Sequence, residues 1–286
     1  MQNSRIALLL VALLAIVSIS RAQTTPGGHK ALTPADSARA NRYFDSISVC
    51  NLYSQRRQRY LDSALAISPW QAHLWQQKAM PLYKQKKYEA GAPYLDSAVK
   101  YDPKSYIDYR AFMKCIFQKS YQSAIPDFWA AKIIIGDGDV MDHTYDFYLG
   151  LCYLQLNRFD SACYYLDKTT TDQLKTLGEH YVHPLDLFYL AITYYETERY
   201  AQAVETFDKC LKLYPNFSDA KYYKAICLRR LHKREEAFAL IKEAEQDFKQ
   251  GYTINEDNTD YEAYPYQVVK PIYYSVLVRG YDTKAQ

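Results

Sequence analysis

Glycine and proline are scarce in this 286-residue sequence, at 9 and 11 residues, about 7% together where globular chains average roughly 12%. Tightly turned all-β folds need such residues throughout and are disfavoured; helices joined by short connections fit better. A glycine-rich loop to cradle phosphate has nothing to build it, and neither a GxSxG nucleophile turn nor a Cys/His nucleophile pair is present. Charge of one sign is lacking too. The formal net charge is +3 with both signs interspersed, so no basic stripe or basic amphipathic helix recruits nucleic acid or an anionic membrane. The six cysteines, Cys50, Cys115, Cys152, Cys163, Cys210 and Cys227, show no metal-like or redox CxxC spacing. Long apolar runs are limited to residues 6–17.

Aromatic side chains are in excess: 30 Tyr, 11 Phe and 3 Trp. With 49% hydrophobic residues and little net charge, the composition is that of a folded chain, long enough for one large domain or two ordinary ones. Arg5 precedes the apolar run, and Ser20-Arg21-Ala22 follows as a small-x-small cleavage site. At 12 residues the run is shorter than the roughly 17–25 of a spanning helix. Residues 1–22 are therefore expected to be a cleaved secretory signal peptide, with an uncleaved anchor as the alternative, and residues 23–36 a linker. The expected address is the periplasm or the exterior, with no membrane span after cleavage. There the even number of cysteines allows Cys152–Cys163 or Cys210–Cys227 disulfides; buried free thiols are the alternative.

The chain repeats itself. YLDSALAISP at 60–69 recurs as YLDSAVKYDP at 94–103, an offset of 34, and more weakly as YLDKTTTDQL at 165–174 and TFDKCLKLYP at 206–215. Each unit reads as two helical stretches joined by a few polar residues. In the first stretch a small residue recurs (Ala79, Gly150, Ala191, Ala225), with Leu82, Tyr153, Tyr194 or Leu228 three residues on. Twelve residues after the small one comes a second (Gly91, Ala162, Ala203, Ala237), and seven later a third (Ala98, Cys210 and Ala244, with Thr169 in one unit). Small side chains at these points let antiparallel helices approach to the short end of the usual ~8–10 Å. Pro69, Pro103 and Pro215 then stop the second helix.

This pattern resembles the tetratricopeptide repeat family over residues 37–250. Units 72–105 and 184–217 fit its small/aromatic/small/Pro pattern closely, and 143–174 and 218–250 fit well. The unit near 105–137 aligns only in its second helix and is one residue short at its turn. The first unit carries Arg57 where a small residue belongs, and residues 171–183 hold an insertion expected on a loop or an extended helix. The resemblance implies an all-α fold: a right-handed α-solenoid superhelix of about six helix-turn-helix repeats, lined inside by first helices and closed by a C-terminal capping segment.

It further implies a non-enzymatic scaffold, without cofactor, whose concave face binds a peptide or protein segment. Carried over by repeat position, the inward residues are Gln76, Met80 and Tyr83; Phe147, Leu151 and Leu154; Phe188, Ile192 and Tyr195; Tyr222, Ile226 and Arg229. They form an aromatic, apolar groove, basic only towards Arg229, Arg230 and Lys233; the alternative is that neighbouring turns simply cover them. The Tyr-rich residues 251–286 either cap the last repeat or lie in the groove until a partner displaces them. A glycan-binding protein with tyrosine platforms is the second functional reading.

Metal signals are weak. Glu179, His180 and His183 in EHYVH lack a third ligand at helical spacing. Asp137, Asp139 and Asp142 in GDGDVMD lack the oxygen ladder of a calcium loop and read as an inter-repeat turn. Asp-Ser pairs such as Asp62-Ser63, Asp96-Ser97 and Asp160-Ser161 resemble the O-glycosylation signal of Bacteroidetes, although helix-surface polarity also accounts for them.

Overall fold

The structure, a computed structural model, describes residues 32–271 and Tyr274; the expected signal peptide and linker residues 23–31 lie outside the described residues. Among these, twelve α-helices follow one another in pairs: α1 (Pro34–Ser48) and α2 (Gln55–Ile67), α3 (Ala72–Lys84) and α4 (Tyr88–Tyr101), α5 (Pro103–Phe112) and α6 (Tyr121–Ile134), α7 (Tyr145–Gln155) and α8 (Phe159–Leu177), α9 (Pro184–Glu196) and α10 (Tyr200–Leu213), α11 (Ser218–Arg230) and α12 (Arg234–Lys249). The all-α helix-turn-helix architecture is thus as expected. The chain divides into two compact units, residues 1–78 and 79–286.

In the first unit Ile47, Leu61, Ala64, Leu65 and Leu74 form the core. Arg57 is buried there despite its charge. Its guanidinium donates to the Ile47 carbonyl at the end of α1, 2.7 Å away, and to Gln77 Oε1 at 2.6 Å, so a helix C-terminus takes the cation.

In the second unit the small residues are where the repeat pattern needs them. Ala79, Ala98, Ala162, Ala191, Ala203, Ala225, Ala237 and Ala244 are 0% exposed. A Cβ on Gly150 would lie 2.6 Å from Leu166 Cγ, so α7 and α8 approach too closely for even a methyl group. Ala203→Leu at such a crossing is expected to cost roughly 1–3 kcal/mol by overpacking. Thermal denaturation measures it, and an unchanged melting temperature would contradict this packing.

Four turns share one backbone geometry. Lys86, Asn157, Glu198 and His232 have φ of 57° to 63°, and the next amide reaches back to the carbonyl of Leu82, Tyr153, Tyr194 or Leu228 at 2.8–2.9 Å. This left-handed closure satisfies carbonyls that a helix end would leave open. The α5/α6 turn departs from it. Here α5 continues into a π-turn, Met113–Phe117, and Ser120 reaches back six residues to Lys114. The wider winding takes up a residue at the helix end, in the unit that reads as one short at its turn.

Helices α2, α4 and α10 stop just before Pro69, Pro103 and Pro215. The insertion extends α8 to 19 residues, against 14 in α10; α8 closes on Gly178 at φ +93°. GDGDVMD forms a turn whose two-residue strands, β1 (Asp139–Val140) and β2 (His143–Thr144), pair antiparallel, while Asp137 pairs with Lys132.

Neither anticipated disulfide forms, because all six cysteines are free thiols. Cys152 points at Cys115 instead, Sγ to Sγ 3.5 Å, Cys163 accepts from Arg199, and Cys210 donates to the Pro184 carbonyl. The Asp-Ser pairs behave as helix surface: Ser63 and Ser97 hydroxyls bond back to the Arg59 and Pro93 carbonyls, and Asp96 pairs with Arg110.

Candidate peptide-binding face

After α12 the chain turns back and lies across the first helices of the second unit. It starts on α11, where the Tyr252 carbonyl accepts from Ser218 N and the Thr253 carbonyl from Tyr214 Oη at 3.3 Å. It passes His143, then winds a short 3-10 turn at Asp257–Asp260 over a cavity of about 500 Å³ walled by Met80, Tyr83, Tyr109, Phe112 and Met113. Beyond this, Lys84 sits over the Tyr261 ring, Tyr88 donates to Glu262 and Lys119 Nζ to the Ala263 carbonyl at 2.6 Å. The segment then reverses. Gln267 N donates to the Tyr264 carbonyl, with Pro265 second in the turn and Tyr266 third at φ +61°, the left-handed conformation a type II turn demands at that place. Its ring is fixed by Glu196, 2.9 Å from the hydroxyl, and by an edge contact with Tyr223. Tyr189 Oη holds the Pro265 carbonyl at 2.8 Å.

Asp219, in the first turn of α11, clasps both arms. Oδ2 accepts from Thr253 Oγ1 at 2.6 Å and from Ile254 N at 3.2 Å; Oδ1 accepts from Val268 N at 2.5 Å. Burial pushes this carboxyl up to about 6, against the downward pull of the bonds from Thr253, Val268 and Ile254. It is still mainly ionised at neutral pH, where charge-assisted bonds and the positive end of the helix offset its desolvation.

A second buried polar group lies under the outgoing arm. His143 Nδ1 is 2.9 Å from Asp186 Oδ1, and its Nε2 is 3.4 Å from Glu256 Oε1. Asp186 also accepts from Gln173 Nε2 at 2.6 Å. Burial alone would lower the His143 pKa, but Asp186 and then Glu256 outweigh it and raise it to about 9. Burial, followed by the neighbouring His143, lowers that of His183.

The carried-over groove residues separate into two groups. Tyr83, Phe147, Leu151, Leu154, Phe188 and Ile192 are at most 1% exposed, in the same core as Ile254 and Tyr264 of the returning segment. Met80, Tyr195, Tyr222, Ile226 and Arg229 are half-buried; Met80 lines the cavity, Tyr195 meets Tyr223, and Tyr222 meets Tyr274. Gln76, also half-buried, belongs to the first unit. The tail takes two positions. Residues 252–268 occupy the face, and Val268, with Tyr274, also packs with Ala225, Ile241 and Ala244 as a cap on the last pair.

Of the EHYVH motif, Glu179 is exposed and pairs with Lys212, His180 is exposed, and His183 alone turns inward, to His143 and Asp186. The turn at Glu179–Tyr181 and Pro184 set the two histidines apart. Sequence reasoning missed His143, Asp186 and Asp219. For Asp186 a signal exists, an acid inside the apolar string PLDLFYL; His143 carries none. A coplanar ring pair, Tyr153 and Tyr165 at 11°, is half-buried, and the more exposed Trp129 and Tyr164 meet it edge-on, which is not a flat sugar platform.

Tetratricopeptide-repeat models match residues 184–217 and 145–172, the α9/α10 and α7/α8 pairs. Among solved structures, a tetratricopeptide repeat protein from Parabacteroides merdae superposes with a TM-score of 0.56 at 14% identity, covering 87% of this chain and 100% of its own. PilW, a type IV pilus biogenesis factor, gives 0.56 at 13% identity, covering 76% and 95%. Yeast Tom70 gives 0.53 at 17%, covering 86% of this chain and 47% of its own. No curated protein matches. The recurrent small residues at the helix crossings, the shared turn geometry and these matches agree: the chain carries tetratricopeptide repeats at 145–172 and 184–217 within an all-α repeat fold.

Proposed function

We propose that the protein is a non-enzymatic interaction scaffold of the cell envelope, exported by its N-terminal signal, which binds an extended segment of a partner protein along the face that residues 252–268 occupy at rest. The observation that carries this reading is how that segment is held. Asp219 takes two of its backbone amides, while Lys119, Tyr189 and Tyr214 donate to its carbonyls at Ala263, Pro265 and Thr253. Side chains that grip main chain bind an extended peptide with limited dependence on its sequence, and pockets such as the cavity beside Met80 and Tyr83 add selectivity. A partner then competes with a tethered segment, whose effective concentration is in the millimolar range for short linkers.

The test is a chain ending at residue 251 and a synthetic peptide of residues 252–271. The shortened chain is expected to bind the peptide, and the full chain to bind it at least tenfold more weakly. A shortened chain that stays helical by circular dichroism yet ignores the peptide would overturn the reading. Protease accessibility in intact and permeabilised cells checks the address.

A further inference from the structure

We propose that Cys115 and Cys152 are a dithiol pair that closes to a disulfide in an oxidising thiol–disulfide buffer, joining the α5/α6 pair to the α7/α8 pair. Cys115 lies in the π-turn Met113–Phe117 at the end of α5, and Cys152 lies in α7. The two are 37 residues apart in sequence, and their Sγ atoms are 3.5 Å apart in space. Both are 0% exposed, in one continuous core.

Three observations single out this pair. First, little movement separates the two sulfurs from bonding distance. A disulfide bond is about 2.05 Å long, so each sulfur has to move roughly 0.7 Å, a distance that side-chain rotation can supply. Second, the two thiols face each other while others are engaged elsewhere. Cys152 donates to Cys115, a weak contact between sulfurs, whereas Cys163 accepts from Arg199 and Cys210 donates to the Pro184 carbonyl. Third, Cys115 rides on the π-turn, the departure from the turn geometry that four other turns share. The wider winding that takes up a residue there also brings the Cys115 sulfur against Cys152 of α7.

The chemistry is thiol–disulfide exchange. The thiolate of one cysteine attacks a small disulfide such as oxidised glutathione and expels one glutathione thiolate; the second cysteine, as thiolate, attacks the mixed disulfide and expels the other. Two cysteine thiols become one disulfide, the oxidant is reduced to two thiols, and the two cysteine protons end on them. Burial pushes the Cys152 thiol well up, so the bond forms as α7 docks rather than in the closed core. Once formed, it spans an interface between successive helical pairs, where a repeat stack carries its stability. It also fixes the turn whose Met113 and Phe117 wall the cavity beside residues 255–261 and which leads to Lys119, the donor to the Ala263 carbonyl. In an oxidising envelope compartment the bonded form is the resting one. That state in the cell rests on the export proposed above, whereas the capacity to close does not.

The experiment refolds the full chain from guanidinium in oxidising or reducing glutathione buffer, blocks free thiols with iodoacetamide in denaturant, and maps the digest by mass spectrometry. Two peptides joined through Cys115 and Cys152 are expected in the oxidising buffer. The melting temperature there should exceed that in the reducing buffer by roughly 5–15 °C, as a closed loop of this length allows. Cys115→Ala and Cys152→Ala should each lose the joined peptides and melt alike in both buffers. Both cysteines alkylated in the oxidised wild type, or a single variant that keeps the full shift, would overturn the pair. Either result is independent of the cellular address, which protease accessibility decides.

Discussion

Replacing Asp219 by alanine is expected to release residues 252–268 from the face. The substitution leaves the Ile254 and Val268 amides and the Thr253 hydroxyl without their acceptor. Orphaned buried donors cost roughly 1–3 kcal/mol each, so two amides alone come to about 2–6 kcal/mol. The chain has one way to limit the loss. It can lift the segment so that the amides reach water, at the expense of uncovering Ile254 and Val268, which are 2% and 4% exposed when docked. The cost is therefore bounded by the docking energy of the segment and appears as local opening before global unfolding. Hydrogen exchange reads it directly: both amides should exchange faster by two orders of magnitude or more, and thermolysin should cut between residues 252 and 268. Asp219→Asn should be intermediate, because its amide group accepts at one position only and presents donors at the other. Unchanged exchange at both amides would show that the clasp does not hold the segment.

The repeat was legible because it is local. Small residues at Ala79, Gly150, Ala191 and Ala225, with their partners twelve positions on, report a helix crossing that every unit must solve in the same way, and Pro69, Pro103 and Pro215 mark where each solution ends. Departures were visible too: Arg57 out of place, a short turn near 118, an overlong stretch at 171–183. What the sequence does not encode locally is the resolution of each. Arg57 depends on a carbonyl ten residues earlier and an amide twenty later. The tail is the extreme case, since Tyr88 and Glu262 are 174 residues apart and no periodicity links them. Its composition signalled that its rings needed cover, but not which helices supply it. Asp219 looks like an ordinary first-turn acid, and only the returning chain makes it a clasp.

Phe188→Ala is expected to lower global stability by about 3–5 kcal/mol, as large-to-small changes at fully packed aromatic positions do. Repeat position puts Phe188 on the proposed binding face. Its surroundings give it a second duty: it is 0% exposed, with the rings of Tyr189, Phe217, Phe207 and Tyr223 5.1 to 6.1 Å away. Those neighbours span α9, α10, α11 and the approach to α11, so the ring joins two successive helical pairs and its loss leaves a cavity at their junction. In a stack of repeats stability is carried by such nearest-neighbour interfaces, and a cavity at one should weaken both sides. Met80 provides the contrast. It is half-buried and lines the open cavity beside residues 255–261, so Met80→Ala should cost less in chemical denaturation while weakening the peptide of residues 252–271 in the shortened chain. If instead Phe188→Ala melts like the wild type and loses only the peptide, the ring serves recognition rather than the joint between repeats.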